Sequence, residues 1–179
     1  MEKITHQGRI IEVVQKEVER NGKVQSFEFV RRSPGVRLII SKGDKILLSK
    51  EFRHEINGYD YRLPGGKVFD SLEEYNKAIK TNADINEEAK NAAVKEAREE
   101  VGIEVKDIYF FHKSICGATV VWDLFYFVVK DFNEVPQQLE EGEDITAEFV
   151  DREKVKEMCL NGTIREERSA LVLLRFLNE

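Results

Sequence analysis

Apolar and polar positions change rhythm several times along the chain, and each change marks an element. Residues 9-14 (R-I-I-E-V-V) and 23-30 (K-V-Q-S-F-E-F-V) are rich in β-branched and aromatic residues and flank Asn21-Gly22, a strong reversal dipeptide, so the pattern predicts an N-terminal hairpin. After Pro34-Gly35 the runs V-R-L-I-I-S at 36-41 and K-I-L-L-S-K at 45-50 read as core strands reversed at Lys42-Gly43-Asp44. Tyr61-Arg62-Leu63 then meets Pro64-Gly65-Gly66, a breaker cluster whose backbone can approach another group closely.

The rhythm next turns helical. Ser71-Leu72-Glu73-Glu74 carries the capping-box pattern and predicts a short helix through Lys80. Asp84 caps a second helix with Glu87 at N3; Ala89, Ala92, Ala93, Val94, Ala97 and Val101 continue it until Gly102 stops it. Strand character returns at 107-111 and, as one long run, at 118-129 (A-T-V-V-W-D-L-F-Y-F-V-V). An acidic loop at 140-144 precedes a short strand near 146-150. Asp151 caps an amphipathic segment through Met158, and a last helix spans 166-178. Strands, a central helix, more strands and then helices predict an α+β sandwich.

Composition narrows the class. With 179 residues, 41% of them hydrophobic, the chain can bury one core, so 1-179 is expected to form a single domain. Charged residues make up 35% and the net charge is −6, which opposes indiscriminate binding to nucleic acid or to a membrane surface. Cys116 and Cys159 are far apart and form no C-x-x-C pattern, so inert or buried thiols are expected rather than a disulfide scaffold or zinc site. Residues 1-6 lack an apolar signal core and no stretch approaches a bilayer span, so a cytoplasmic location is expected.

The chemistry concentrates on the central helix. Glu96, Glu99 and Glu100 are spaced i, i+3 and i+4, which places three like charges on one helical face beside the buried arc of Ala93, Ala97 and Val101. A hard divalent cation would relieve that repulsion. A solvated stripe paired to Lys90, Lys95 or Arg98 would do so as well, and spacing alone leaves both open.

The stretch K-E-A-R-E-E-V-G-I at 95-103, with Glu87 before it and R-L-P-G-G-K at 62-67, resembles the signature of the Nudix hydrolase family. The resemblance implies a Nudix-type α/β/α sandwich with a mixed sheet and an N-terminal antiparallel β-hairpin extension. It carries Glu96, Glu99 and Glu100 onto the family's metal-binding glutamates, Gly65 onto the loop position whose carbonyl completes the metal shell, and Glu87 onto the earlier glutamate position. Two positions depart from the pattern. Lys95 stands where the family has an arginine that forks onto a motif glutamate, which a lysine cannot reproduce, though Arg98 could compensate in part. Between Gly66 and Glu87 lie 20 residues where the pattern has five, an insertion of 15 expected to form a helical excursion near 69-84 beside the site.

Similarity in F-E-F-V-R-R-S-P-G-V (27-36), K-E-F-R-H (50-54) and L-E-E-G-E-D-I (139-145) extends to the ADP-ribose pyrophosphatase branch. That branch implies an N-terminal extension (1-35) that dimerises, a catalytic core (36-179), and hydrolysis of ADP-ribose or a related nucleoside diphosphate sugar with Mg2+ or Mn2+. Glu96, Glu99 and Glu143 are then the catalytic carboxylates, Glu143 serving as the base with Glu141 and Asp144 as alternatives, and Arg32 and Arg53 are the substrate contacts. Arg53 could instead form a surface pair with Glu51 or Glu55, and Arg31 or Phe27 and Phe29 could assist at a base. Trp122, His54 and His112 are expected to be structural. The competing function is a non-catalytic nucleotide-binding or sensing module. A DNA-binding regulator is disfavoured by the acidic charge and the short C-terminal segment.

Overall fold

The computed structural model describes residues 2-139, 142 and 144-179, the Glu55 side chain excepted. The chain begins with β1 (Glu2–Gln7), β2 (Glu12–Arg20) and β3 (Lys23–Arg31), followed by β4 (Gly35–Lys42), β5 (Lys45–Arg53) and β6 (Gly58–Arg62). Helices α1 (Leu72–Lys80) and α2 (Ile85–Val101) precede β7 (Ile103–Ser114), β8 (Val120–Val121), β9 (Leu124–Glu134) and β10 (Ile145–Asp151). Helices α3 (Arg152–Leu160) and α4 (Glu167–Leu177) complete the chain.

The expected hairpin forms as β2-β3 around Asn21-Gly22, both residues at positive φ, but it belongs to a larger sheet. β1 adds on one side and β8 pairs in parallel with β3 on the other. The predicted long strand at 118-129 is therefore two strands: Val120 and Val121 pair with Val30 and Arg31, whereas Leu124 onward pairs with β4. Trp122-Asp123 is the point where the chain changes sheets.

The second sheet has the order β10-β5-β4-β9-β7 with β6 on β5, and it is mixed, since β4 and β9 run parallel and the other pairs antiparallel. Alternation along β4 assigns its faces. Val36, Leu38 and Ile40 pack with Ala89, Ala93, Ala97 and Val101 of α2, whereas Ile39 packs with the α3-α4 layer through Val155, Leu173 and Phe176. Helices thus cover both faces, the expected α/β/α sandwich. Arg37 shares the α4-facing side of β4 with Ile39, a charge in a strand whose neighbours are fully buried.

The helix ends follow the sequence with one difference, at Asp151. Asp84 accepts from the Asn86 and Glu87 N–H groups, Gly102 closes α2 in the left-handed region, and Ser71 accepts from Glu74 N–H. Asp151 stands at the N-cap of α3 without a side-chain cap bond; its carboxylate pairs with Lys45 at 3.5 Å, a cross-strand neighbour in the β10-β5 ladder. Cys116 is exposed rather than buried, because it lies in the connection between β7 and β8, outside either core.

Candidate functional site

The site is assembled where the loop after β6 crosses β4 and meets the C-terminal half of α2. Backbone bonds lay the loop on the strand: Val36 N–H donates to Gly66 O at 3.0 Å and Leu38 N–H to Pro64 O at 2.9 Å. Gly65 lies at φ 141°, and a side chain there would strike the Val36 carbonyl. A side chain at Gly66 would occupy the space of the Glu96 carboxylate. Both glycines are thus required by close approach, as the breaker cluster suggested.

Glu96, Glu99, Glu100 and the Gly65-Gly66 loop are brought together. Glu96, Glu99 and Glu100 line one pocket with Gly66, Lys67, Asp70 and Lys95. Glu100 Oε2 accepts from Gly65 N–H at 2.7 Å. Burial pushes the Glu100 carboxyl up to about 8; the Gly65 bond opposes that rise, and the neighbouring Glu96 and Glu51 add to it. Lys95 lies 3.6 Å from Glu99, and Glu99 with Asp70 and Glu96 raises its ammonium pKa. Arg98 turns away toward Glu104 at 3.9 Å, so it does not take the role expected of a motif arginine. Arg98 is not among the residues that line the pocket.

Beyond Glu100 the pocket opens into a cleft of about 290 Å3 lined by both predicted substrate contacts, Arg32 and Arg53. Arg53 is engaged with Glu51 at 2.8 Å, while Arg62 spans Glu51 at 3.4 Å and Asp60 at 2.9 Å. Residues 51 and 60 are direct cross-strand partners, so two carboxylates and two guanidiniums form one charged ladder on the cleft wall. The Arg32 guanidinium lies 4.2 Å from the centre of the Trp122 ring, and Arg168 lies 4.3 Å from it. Burial lowers the Arg32 pKa, and Arg37 and Arg168 lower it further. Trp122 is therefore a support for arginines, where the sequence had it simply packing in a strand.

Several expected participants stand elsewhere. Arg31 is held at 2.6 Å by Glu12 and at 3.1 Å by Glu2 within the N-terminal sheet, which removes it from the cleft. Phe27 is half exposed on that sheet. Glu143 and Glu141, the expected base and its first alternative, lie outside the described residues. Asp144 accepts from the Tyr59 hydroxyl at 3.2 Å. The insertion begins at the site, through Asp70, and then leaves it: Ser33 and Phe69 exchange two 3.2 Å bonds, and Asn76 donates to the fully buried Glu12 at 3.0 Å. Through Asn76 the excursion is tied to β2 of the N-terminal sheet.

Sequence reasoning did not select Arg37, Arg62, Lys67 or Glu166, all of which line the cleft. Arg37 interrupts an otherwise apolar strand, and that interruption was its signal. Glu166 had none, because its partner is 129 residues away.

Residues 31-170 match the family model for the NUDIX domain, and the chain belongs to that family. The solved structure of an ADP compounds hydrolase superposes with a TM-score of 0.72 over 99% of this chain and 89% of the other, at 19% identity, and so shares the fold. No curated protein matches at the sequence level.

Donor chemistry at the pocket fits a hard cation: Glu96, Glu99, Glu100 and Asp70 all line it, and burial beside Glu96 disfavours a charged Glu100, a cost that a cation would offset. The placement is not closed around one point, since among the described residues no three carboxyl, imidazole or thiol groups converge closely enough to hold an ion. Glu100 is turned to Gly65 and Glu99 toward Lys95. No described helix is long and apolar enough to cross a membrane.

Proposed function

We propose that this NUDIX-domain protein hydrolyses the diphosphate bond of ADP-ribose or a related nucleoside diphosphate sugar, giving a nucleoside monophosphate and a sugar phosphate, with Mg2+ or Mn2+ as cofactor. The observation that carries this reading is the junction of the Glu96-Glu99-Glu100 pocket with an arginine-lined cleft at Gly65-Gly66. The relation to a structure of an ADP compounds hydrolase supports the substrate class.

Glu96, Glu99, Glu100 and the Gly65 carbonyl would hold the cation, which supplies Lewis acidity at the phosphoryl oxygens when bound. The chain's own groups do the rest. Arg32, Arg53 and Arg62 present guanidiniums to the cleft and orient an anionic diphosphate, and the Glu51-Asp60 ladder fixes Arg53 and Arg62 so that little freedom is lost on binding. Glu143, on the acidic loop, is proposed as the acceptor of the water proton. The N-terminal sheet leaves Ile4, Val18 and Phe27 exposed on one face, in keeping with a homodimer built through that sheet.

Incubating the protein with ADP-ribose, sugar nucleotides, dinucleoside polyphosphates and nucleoside triphosphates, each with and without Mg2+, tests the reading. Metal-dependent release of a nucleoside monophosphate is expected for ADP-ribose or a sugar nucleotide. A folded protein that leaves the whole panel intact refutes it. A non-catalytic nucleotide sensor is the second reading, favoured by Lys95 and by the unconverged carboxylates; it requires ligand binding without turnover.

A further inference from the structure

The buried pair Arg37-Glu166 ties the start of the C-terminal helix to the loop that carries Gly65. Arg37 is 6% exposed, and its guanidinium forks onto Glu166, Nε to Oε2 at 2.9 Å and Nη2 to Oε1 at 3.1 Å. Glu166 is fixed in turn by the Ser169 hydroxyl, which donates at 2.5 Å, and the Ser169 oxygen lies 3.2 Å from the buried Tyr126 hydroxyl. Burial is the largest single influence and works against both charges, but the partner's charge and hydrogen bond together with neighbouring groups, among them Glu100 for Arg37 and Ser169 and Arg62 for Glu166, overcome it: Arg37 is held above and Glu166 below its ordinary value.

The free side of the fork reaches the site. Arg37 Nη1 donates to Val36 O at 2.8 Å and toward Gly65 O at 3.4 Å. The loop is already bonded to β4 through the carbonyls of residues 64 and 66, so Gly65 O, between them, is the carbonyl left to the guanidinium. On its other side the Gly65 peptide gives its N–H to Glu100. A chain of contacts therefore runs from Ser169 and Glu166, through Arg37 and the Gly65 peptide, to a proposed metal-binding glutamate.

A buried ion pair is weak evidence for stability, because desolvation consumes most of the Coulombic gain, so its retention here calls for another role. We infer that Arg37 and Glu166 are a positioning pair for the cation site: Arg37 orients the Gly65 peptide, and Glu166 cancels a positive charge that would otherwise repel a cation at Gly65 and Glu100. This rests on the proposed metal-dependent reading and adds to it a residue supplied by α4's N-terminal end, remote in sequence from the glutamate helix.

Direct Mn2+ binding, measured by calorimetry and by the paramagnetic resonance of free Mn2+, tests it without relying on turnover. Glu166→Gln keeps the shape but leaves Arg37 uncompensated, and Mn2+ affinity is expected to fall roughly tenfold, corresponding to about 1.4 kcal/mol. The double variant Arg37→Gln/Glu166→Gln removes both charges, and its affinity is expected to rise above that of Glu166→Gln, a rescue that follows from charge cancellation, while staying below the wild type because the Arg37 hold on Gly65 O is lost. The double variant also keeps the test readable if the single variant melts. A purely packing role predicts that the double variant binds Mn2+ at least as poorly as Glu166→Gln, and that result, or unchanged affinity in Glu166→Gln, overturns the inference alone. Wild-type protein that binds no Mn2+ overturns the inference together with the metal-dependent reading beneath it.

Discussion

Two neighbouring parts of the site treat charge in opposite ways. In the cleft, Arg37, Arg53 and Arg62 each meet a carboxylate at 2.8 to 2.9 Å, and the side chains are locked before any ligand arrives. On α2, three glutamates crowd one face, and burial with like-charge neighbours leaves Glu100 hard to ionise. The cleft is a finished frame, whereas the glutamate pocket is stable only in compromise with a proton, a lysine or a cation. Substitutions should therefore damage folding on one side and function on the other.

The largest effect should come from breaking the frame. Arg37→Met leaves Glu166 buried without its partner and is expected to cost about 3 to 5 kcal/mol in urea unfolding. Glu100→Gln should do the reverse: kcat/KM falls by about a hundredfold, or about 2.7 kcal/mol, while the metal-free protein unfolds no more easily than the wild type. A loss of stability there would mean that the crowded face contributes to the fold after all. Gly66→Ala displaces the Glu96 carboxylate, a movable group, so about a tenfold loss in kcat/KM with little change in melting temperature is expected.

The mildest test uses pH. Glu100 holds its proton up to about 8 in the folded chain, against an ordinary value of 4.5 in the unfolded one. The folded state then binds more protons between those values, and metal-free stability should decline as pH rises from 5 to 8, by on the order of 1 kcal/mol or more. Mg2+ should offset the decline, raising the melting temperature more at pH 8 than at pH 5. Equal increments at both pH values would dissociate Glu100 from the cation.

Much of this contrast was visible in the sequence, and the reason differs by residue. Glu96, Glu99 and Glu100 repeat within one helix, and Asp84 and Gly102 are local start and stop signals, so neighbours along the chain sufficed. Gly65 and Gly66 were legible as close-approach residues because only backbone space was at stake. The division of 118-129 was hidden, since both halves are equally β-prone and only their partners, β3 and β4, separate them. Arg53 was found and its pair with Glu51 was among the alternatives, because the two stand two residues apart on one strand, whereas the place of Arg62 and Asp60 beside Glu51 depends on the β5-β6 register. Glu166 required the packing of α4 against a strand formed near the other end of the chain.

The alternation of β4 gives the Arg37 pair a second meaning. Beside its parallel neighbour β9, a slip of one residue would send Arg37 into the alanine-rich layer of α2 and carry Val36 or Leu38 toward Glu166. An arginine among Ala89, Ala93 and Ala97 would lose its fork onto Glu166 and meet apolar side chains, which opposes that register. One charge in an apolar strand thus serves as a proofreading mark for strand alignment, rejecting misregistered folds before any chemistry begins.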